Sequence, residues 1–299
     1  MISRLPPRVV LVRRLSEYEQ LIAQHGTAQQ ARFYLRHQAL SIDDLRRNEA
    51  KLHDALKVVR EAIPRAWRSV EILRGDLNRF VFELRDLIIA VGQDGLVANV
   101  AKYLHGQRVI GVNPDALAYE GLLVAHPPAS VRTLLLDCAA DRARVQSRTM
   151  TEALLDDGQR LLALNEIFVG HRSHQSARYR VVYGDHEERQ SSSGVIVATG
   201  TGSTGWARSM NLERGGANRL PAPQDPALTF FVREAFPGSG FATRMTAGLL
   251  RQGDRLKVIS EMNQDGVIFG DGIEEDRLEF LWGAHLSIGV ASERLLLVA

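Results

Sequence analysis

Gly92-Gln93-Asp94-Gly95-Leu96 follows the uncharged run Leu87-Ile88-Ile89-Ala90-Val91 and precedes a stretch in which Val97, Val100, Ala101 and Leu104 share one helical side. A strand buried on both faces that breaks at glycines and re-enters a helix points backbone N–H groups outward. They lie at the positive end of the helix dipole, an arrangement that suits phosphate. An Asp in such a turn repels anions, so Asp94 makes sense there if it holds a hydroxyl or a metal beside the phosphate. The competing reading is an ordinary surface βα turn, for which Asp-Gly is a common dipeptide.

Two further stretches carry polar groups in apolar surroundings. Asn165-Glu166 lies between Leu161-Leu162-Ala163-Leu164 and Ile167-Phe168-Val169. An amide and a carboxylate inside an apolar strand are expensive to bury without partners, and together they suit vicinal hydroxyls. The alternative is an edge strand with the pair facing solvent. Val195-Ile196-Val197-Ala198 runs into Thr199-Gly200-Thr201-Gly202-Ser203-Thr204-Gly205-Trp206, which contains G-x-G-x-x-G after a strand. A Rossmann dinucleotide fingerprint must therefore be considered, but the motif sits in a β-rich half with no clear βαβ unit after it. Glycines with closely spaced hydroxyls still allow near approach of a ligand, and Trp206 offers a stacking face; the plainer reading is a glycine-rich loop with a core tryptophan.

Other candidates weigh less. His171 and His174 lack a third ligand at metal-site spacing and read as solvent-facing loop residues. No G-x-x-x-x-G-K-[ST] and no G-x-S-x-G occurs, which excludes a P-loop lysine and weakens a hydrolase reading. Asp265-Gly266 and Asp271-Gly272 read as hairpin turns flanking Val267 to Phe269.

The chain that must position these groups has 299 residues, enough for two domains. A formal net charge of +2 without any long Lys/Arg run argues against nucleic acid. The single cysteine, Cys138, excludes internal disulfides and cysteine metal clusters. Arg4 and Arg8 are not followed by an apolar core of signal-peptide length, and no stretch approaches the roughly 20 apolar residues that cross a bilayer. A cytoplasmic protein without membrane contact is expected.

Strands at Val9–Val12, Ser69–Leu73, Leu87–Val91 and Val109–Val112 alternate with helical patterns. Among these are a helix capped near Ser41 and stopped by Pro64, and a short helical stretch from Leu77 to Leu84. This alternation predicts an open parallel sheet with helices on its faces. From about Val131 the texture is of strands and tight turns. A hairpin is expected from Arg148 to Leu155 and Leu161 to Val169, with another from Tyr179 about Gly184-Asp185. Asn211 to Pro226 reads as loop, and strands follow from Leu228 to Val290. The division expected is an α/β domain over 1–140 and an all-β domain over 141–299, whose last strand could return to the first.

Taken in order, these stretches resemble the NAD kinase family, which shares a superfamily with diacylglycerol and sphingosine kinases. The family's G-G-D-G-T is similar to Gly92 to Leu96, its Gly-Val-Asn-x-Asp to Gly111-Val112-Asn113-Pro114-Asp115, its N-E pair to Asn165-Glu166, and its T-x-T-G-S-T-x-aromatic loop to Thr199 to Trp206. Ser192-Ser193-Gly194 before that loop, and the long helical insertion before Leu45, resemble the mitochondrial-type branch. The resemblance implies an α/β domain followed by a β-sandwich domain, with the active site between them, and homodimers or larger assemblies. It implies transfer of the ATP γ-phosphoryl to the 2′-hydroxyl of the NAD adenosine ribose, usually with Mg²⁺. By position, Asp94 would orient that hydroxyl and accept its proton. Gly92 and Gly95 would present N–H groups to the ATP phosphates, with Gln93 and Asn113 also at ligand-binding positions. Asn165 and Glu166 would hold ribose hydroxyls, and Thr201, Gly202, Ser203, Thr204 and Trp206 would line the pocket of the phosphoryl acceptor; no residue is assigned as a metal ligand. Two departures stand out. Leu96 replaces threonine, as in sphingosine kinases. Gln93 replaces the second glycine, which costs energy or blocks ATP if that position needs positive φ or close backbone contact with phosphate. Such a block would leave an NAD-binding protein without turnover, and a kinase acting on a lipid or sugar hydroxyl is the other alternative.

Overall fold

The computed structural model describes residues 5–35, 41–116 and 121–299, so Arg4 lies outside the described residues. The chain divides into one unit of Met1–Gln146 with Leu296–Ala299 and a second of Ser147–Leu295. Among the described residues, no helix is long and apolar enough to cross a membrane.

The first unit contains β1 (Val9–Arg13), α1 (Glu17–His25), α2 (Ala28–Leu35), α3 (Ile42–Ala62), β2 (Ser69–Leu73), β3 (Leu87–Val91), α4 (Asp94–Ala101), β4 (Arg108–Val112) and α5 (Val131–Ala139). The four strands run parallel in the order β2-β1-β3-β4. Every residue of β3 is buried, which explains its unbroken apolar run. Ser41 caps α3 by accepting a hydrogen bond from the Asp43 amide, and the helix stops before Pro64. Its Ala55, Leu56 and Val59 pack with Val131, Leu135 and Cys138 of α5 in the core that also takes Val9, Leu11 and Ile89. Full burial of a side chain such as Leu56 contributes about 1.5–3 kcal/mol. Burial in the same core pushes the Cys138 thiol up to about 11, which leaves it a small apolar filler.

Three expectations are corrected here. The strands and tight turns expected from about Val131 begin only at Val145, because Val131–Ala139 is helix α5, its Val131, Leu135 and Cys138 buried at helical spacing. The helical stretch expected from Leu77 to Leu84 is a 3₁₀ turn over Arg74–Arg79 followed by irregular chain. Helix α4 begins at Asp94 rather than Leu96, which makes Asp94 its first residue.

Arg8 ties the starts of β1 and β3 together. Its Nε and Nη2 donate to the Asp86 carboxylate at 2.9 and 2.6 Å, and the Glu83 amide donates to the same carboxylate at 2.8 Å. The Asp86 side chain is fully buried while Arg8 retains some exposure. Asp86→Ala is expected to destabilise the protein by about 1–3 kcal/mol, because it leaves the Glu83 amide without its acceptor and Arg8 with only the Glu83 carboxylate and the Val81 carbonyl. A lowered denaturant midpoint would show this, and an unchanged midpoint would contradict it.

The second unit holds β5 (Val145–Leu155, its first two residues in the first unit), β6 (Arg160–Ala163), β7 (Glu166–His171), β8 (Ala177–Tyr183), β9 (His186–Ser192), β10 (Val195–Thr199), α6 (Trp206–Glu213), β11 (Ala227–Val232), β12 (Ala247–Arg251), β13 (Leu256–Ser260), β14 (Gly266–Gly270), β15 (Ile273–Glu279) and most of β16 (His285–Val298). One antiparallel sheet has the order β12-β11-β10-β7-β14-β15. The other pairs β16, β13, β8 and β9 in that order, with the β5–β6 hairpin joined to β16. Val195 and Val197 of β10 point into the core shared by both sheets, whereas Ile196 and Ala198 lie under Ala207 and Met210 of α6. Both faces are covered, so Val195 to Ala198 of β10 are all apolar despite antiparallel neighbours.

Three strand and loop boundaries differ from expectation. Leu161–Val169 is not one strand: it bends at Leu164-Asn165, and β6 and β7 belong to different sheets. The first residues of the expected Asn211–Pro226 loop complete α6, which packing against the sheet holds without any side-chain cap. The last strand is longer than expected, and its Leu296 and Leu297 pair in parallel with Arg108 and Val109 of β4.

Candidate functional site

In the first unit the glycine turn lies at the carboxyl ends of parallel strands, where ligands of open α/β sheets bind. The Gly92 amide donates to Val112 at 3.0 Å, and its φ of +156° lies where glycine is favoured. Gln93 has φ −104° and ψ 166°, ordinary extended backbone, so its side chain carries no conformational penalty. A Cβ on Gly95 would meet nothing within 4 Å, so protein packing does not require glycine there, whereas close approach by a ligand would. Leu96 is almost fully buried, so the residue in place of threonine fills the core. A cleft beside Gly92 and Gln93 is also lined by Arg14, Asn48, Lys51 and Asp115.

Asp94 is held by backbone. The amides of Leu122, Leu123 and Val124 donate to its carboxylate at 2.9, 2.8 and 3.1 Å. Oδ1 accepts two of these bonds and Oδ2 one, which leaves Oδ2 able to accept another. A carboxylate at the first residue of α4 also complements the helix dipole. Asn113 is buried at the end of β4, where its Oδ1 accepts from the Asp115 amide at 3.0 Å and its own amide donates to His126. It shapes the turn after β4, and Lys51 pairs with the Asp115 carboxylate at 2.6 Å.

In the second unit the Asn165-Glu166 bend and the glycine-rich loop form one hydrogen-bonded piece. Thr199 donates its hydroxyl to the Leu164 carbonyl at 2.5 Å and its amide to the Asn165 carbonyl at 2.9 Å. The same hydroxyl oxygen accepts from the amides of Thr201 and Gly202. At Gly202 a Cβ would lie 2.2 Å from the Asn165 carbonyl oxygen, so the loop presses backbone against backbone. Gly200 is constrained likewise by the Ala222 carbonyl, at 2.0 Å from a Cβ.

The hydroxyls of this loop differ in use. Ser203 donates to the Thr199 carbonyl at 3.0 Å and Thr204 to the Thr201 carbonyl at 3.3 Å. Thr201 Oγ1 is buried with no hydrogen-bond partner among the described residues, an arrangement that costs about 1–3 kcal/mol unless a ligand satisfies it. Trp206 is half-exposed, with Phe168 at its edge and the Arg233 guanidinium 5.5 Å from its ring centre. It is a partly solvated platform rather than a core tryptophan.

Sequence reasoning missed Asp271. Its carboxylate accepts from the amides of Leu164, Asn165 and Glu166, and its own amide donates to the Glu166 carbonyl. The Asp-Gly dipeptide signals the β14–β15 turn, with positive φ at both residues, but not where the carboxylate points.

Comparison with known proteins gives a consistent neighbourhood. No protein-family model matches the chain. Over 42% of its length it is 34% identical to an NAD kinase of Cupriavidus pinatubonensis, covering 42% of that protein. Over another alignment of 42% of its length it is 34% identical to an NAD kinase of Acinetobacter baylyi, covering 43% of it. The chain thus spans less than half the length of these curated relatives. Among solved structures, a yeast NADH kinase complexed with NADH superposes with TM-score 0.60 at 15% identity, over 99% of this chain and 84% of that one. An NAD kinase from Archaeoglobus fulgidus in complex with ATP superposes with TM-score 0.59 at 18% identity, over 98% and 93%. The fold is that of these kinases, and the expected resemblance to NAD kinases is met by curated relatives of that name over 42% of the chain.

Proposed function

We propose that this protein is an NAD kinase that transfers the γ-phosphoryl of ATP to the 2′-hydroxyl of the NAD adenosine ribose. The observation that carries the reading is the union of the Asn165-Glu166 bend with the Thr199–Ser203 turn. Two polar motifs, 35 residues apart where Thr199 meets Leu164, are built into one piece in a chain with the fold of NAD kinases.

Asn165 and Glu166 would hold ribose hydroxyls, and Thr201 would give its unpartnered hydroxyl to the same ligand. In the first unit the Leu96 amide already donates to the Gln93 carbonyl at 2.9 Å, and the Asp94 and Gly95 amides ahead of it at the start of α4 would receive the donor phosphates. Asp94 Oδ2 would accept the hydrogen of the attacking 2′-hydroxyl. Phosphoryl transfer proceeds through a loose transition state, so orientation counts for more than a strong base. A carboxylate fixed by three amides is suited to that task.

Mg²⁺ would neutralise phosphate charge beside Asp94. It keeps most of its water and binds through phosphates with one or two carboxylates. Asp94 Oδ2 has one acceptor position left, which the hydroxyl takes, and Asp115 is paired with Lys51, so phosphate oxygens and water would supply most of the ion's ligands. The helices α1 to α3 between β1 and β2 support placement with the mitochondrial-type branch. A cytoplasmic homodimer or larger assembly completes the proposal.

The test is NADP⁺ formation from NAD⁺, ATP and Mg²⁺, read through an NADP-specific dehydrogenase, with NADH and polyphosphate as parallel arms. Product with ATP supports the reading; NAD⁺ binding without product would favour a protein that binds and does not turn over. Gln93→Gly is expected to preserve or raise kcat/KM for ATP, because Gln93 occupies an unstrained backbone. A large loss would make the glutamine side chain part of the donor site.

A further inference from the structure

We propose that Asp271 is a positioning residue for the phosphoryl acceptor: its carboxylate sets the backbone from which Asn165 and Glu166 reach the ribose hydroxyls. The proposal rests on the reading of those two residues given above. Asp271 itself is not assigned any contact with substrate.

The bend between β6 and β7 needs such a group. Leu164 and Asn165 stand where the chain leaves one sheet for the other, so no neighbouring strand supplies ladder carbonyls to their amides. The Asp271 carboxylate takes them instead, at 3.0 Å from Leu164 and 2.7 Å from Asn165, and reaches the Glu166 amide at 3.4 Å. Hydrogen bonds to an ionised acceptor are roughly twice as strong as neutral ones. The return bond from the Asp271 amide to the Glu166 carbonyl, at 3.0 Å, closes the clasp.

A hairpin turn alone does not call for this. Asp271 and Gly272 both have positive φ, at 56° and 69°, which Asn-Gly or Gly-Gly satisfies equally well. The carboxylate is additional to the turn, and all three of its amides belong to the functional bend. On the opposite side the bend is gripped by Thr199, through the carbonyls of Leu164 and Asn165. The bend is therefore fixed through its amides by Asp271 and through its carbonyls by the glycine-rich loop. A side chain mounted on it has its backbone set from both directions.

Two variants separate clasp from turn. D271G keeps the positive φ and removes the carboxylate; D271N keeps the φ and retains one acceptor oxygen. In the full-length protein, D271G is expected to weaken NAD⁺ binding by about tenfold in calorimetry, the size of one lost charge-assisted hydrogen bond, and to leave ATP binding unchanged. Hydrogen exchange over residues 164–166 should rise in the same variant. D271N, whose NH₂ must face at least one of the amides that Oδ1 and Oδ2 now accept, should recover only part of the NAD⁺ affinity and fall between D271G and the wild type. Equal NAD⁺ affinity in D271G and the wild type would overturn the proposal. So would parallel losses of NAD⁺ and ATP affinity, which would mean general destabilisation. If the wild type binds no NAD⁺, the kinase reading falls and this role falls with it. That case is recognised by faster exchange at 164–166 in D271G with no affinity to lose.

Discussion

Asp94→Asn is expected to reduce turnover by about 10²–10⁴-fold, the range for loss of a positioned proton acceptor, while NAD⁺ still binds. The substitution keeps the shape of the side chain and removes its charge. It also disturbs three hydrogen bonds. Asp94 now accepts from Leu122, Leu123 and Val124 through both oxygens. An asparagine has a single acceptor oxygen, and its NH₂ must face at least one of those amides. A stability loss of roughly 1–3 kcal/mol should accompany the loss of turnover. Kinetics and a denaturant titration of the same sample separate the two effects. Near-normal turnover in a destabilised protein would reduce Asp94 to an anchor for residues 122–124 and remove it from the chemistry.

Gly202→Ala is expected to lower stability and NAD⁺ affinity together. A Cβ there would lie 2.2 Å from the carbonyl oxygen and 2.6 Å from the carbonyl carbon of Asn165. Both obstructing atoms are backbone, so no side chain can rotate away. Either the loop or the bend must move, at a cost of about 2–3 kcal/mol. Movement of either separates Thr199 from Leu164 and Asn165, so NAD⁺ affinity should fall together with stability. Wild-type stability and affinity in Gly202→Ala would mean that the contact between loop and bend is not rigid, and the union of the two motifs would lose its functional weight.

Local chemistry in the sequence made the strand, turn and helix around Asp94 legible. The run Leu87–Val91 is apolar because both faces are buried, and the glycines mark the break after it. The same holds for the β14–β15 turn at Asp271-Gly272 and for the end of α3 before Pro64. What escaped depends on distant partners. The Asn165-Glu166 pair looked embedded in one strand because buried residues flank it on both sides; the change of sheet at Leu164 leaves no local mark. Helix α6 was hidden because Gly205 is a weak start signal, and only packing of Ala207 and Met210 under β10 holds it. The amide partners of Asp94 lie about thirty residues onward and those of Asp271 more than a hundred residues back, beyond any window of periodicity. Gln93 illustrates the reverse. Comparison with the family pattern made it look disruptive, yet its extended backbone shows that glycine is not required for conformation.

The most direct test of the account is transfer of label from γ-³²P-ATP to NAD⁺, comparing the wild type with Asp94→Asn under the same conditions. The account predicts labelled NADP⁺ carrying the phosphate on the adenosine 2′-oxygen, formed by the wild type and lost in the variant. Label remaining in ATP or appearing only as inorganic phosphate, with NAD⁺ bound and unmodified, would contradict it.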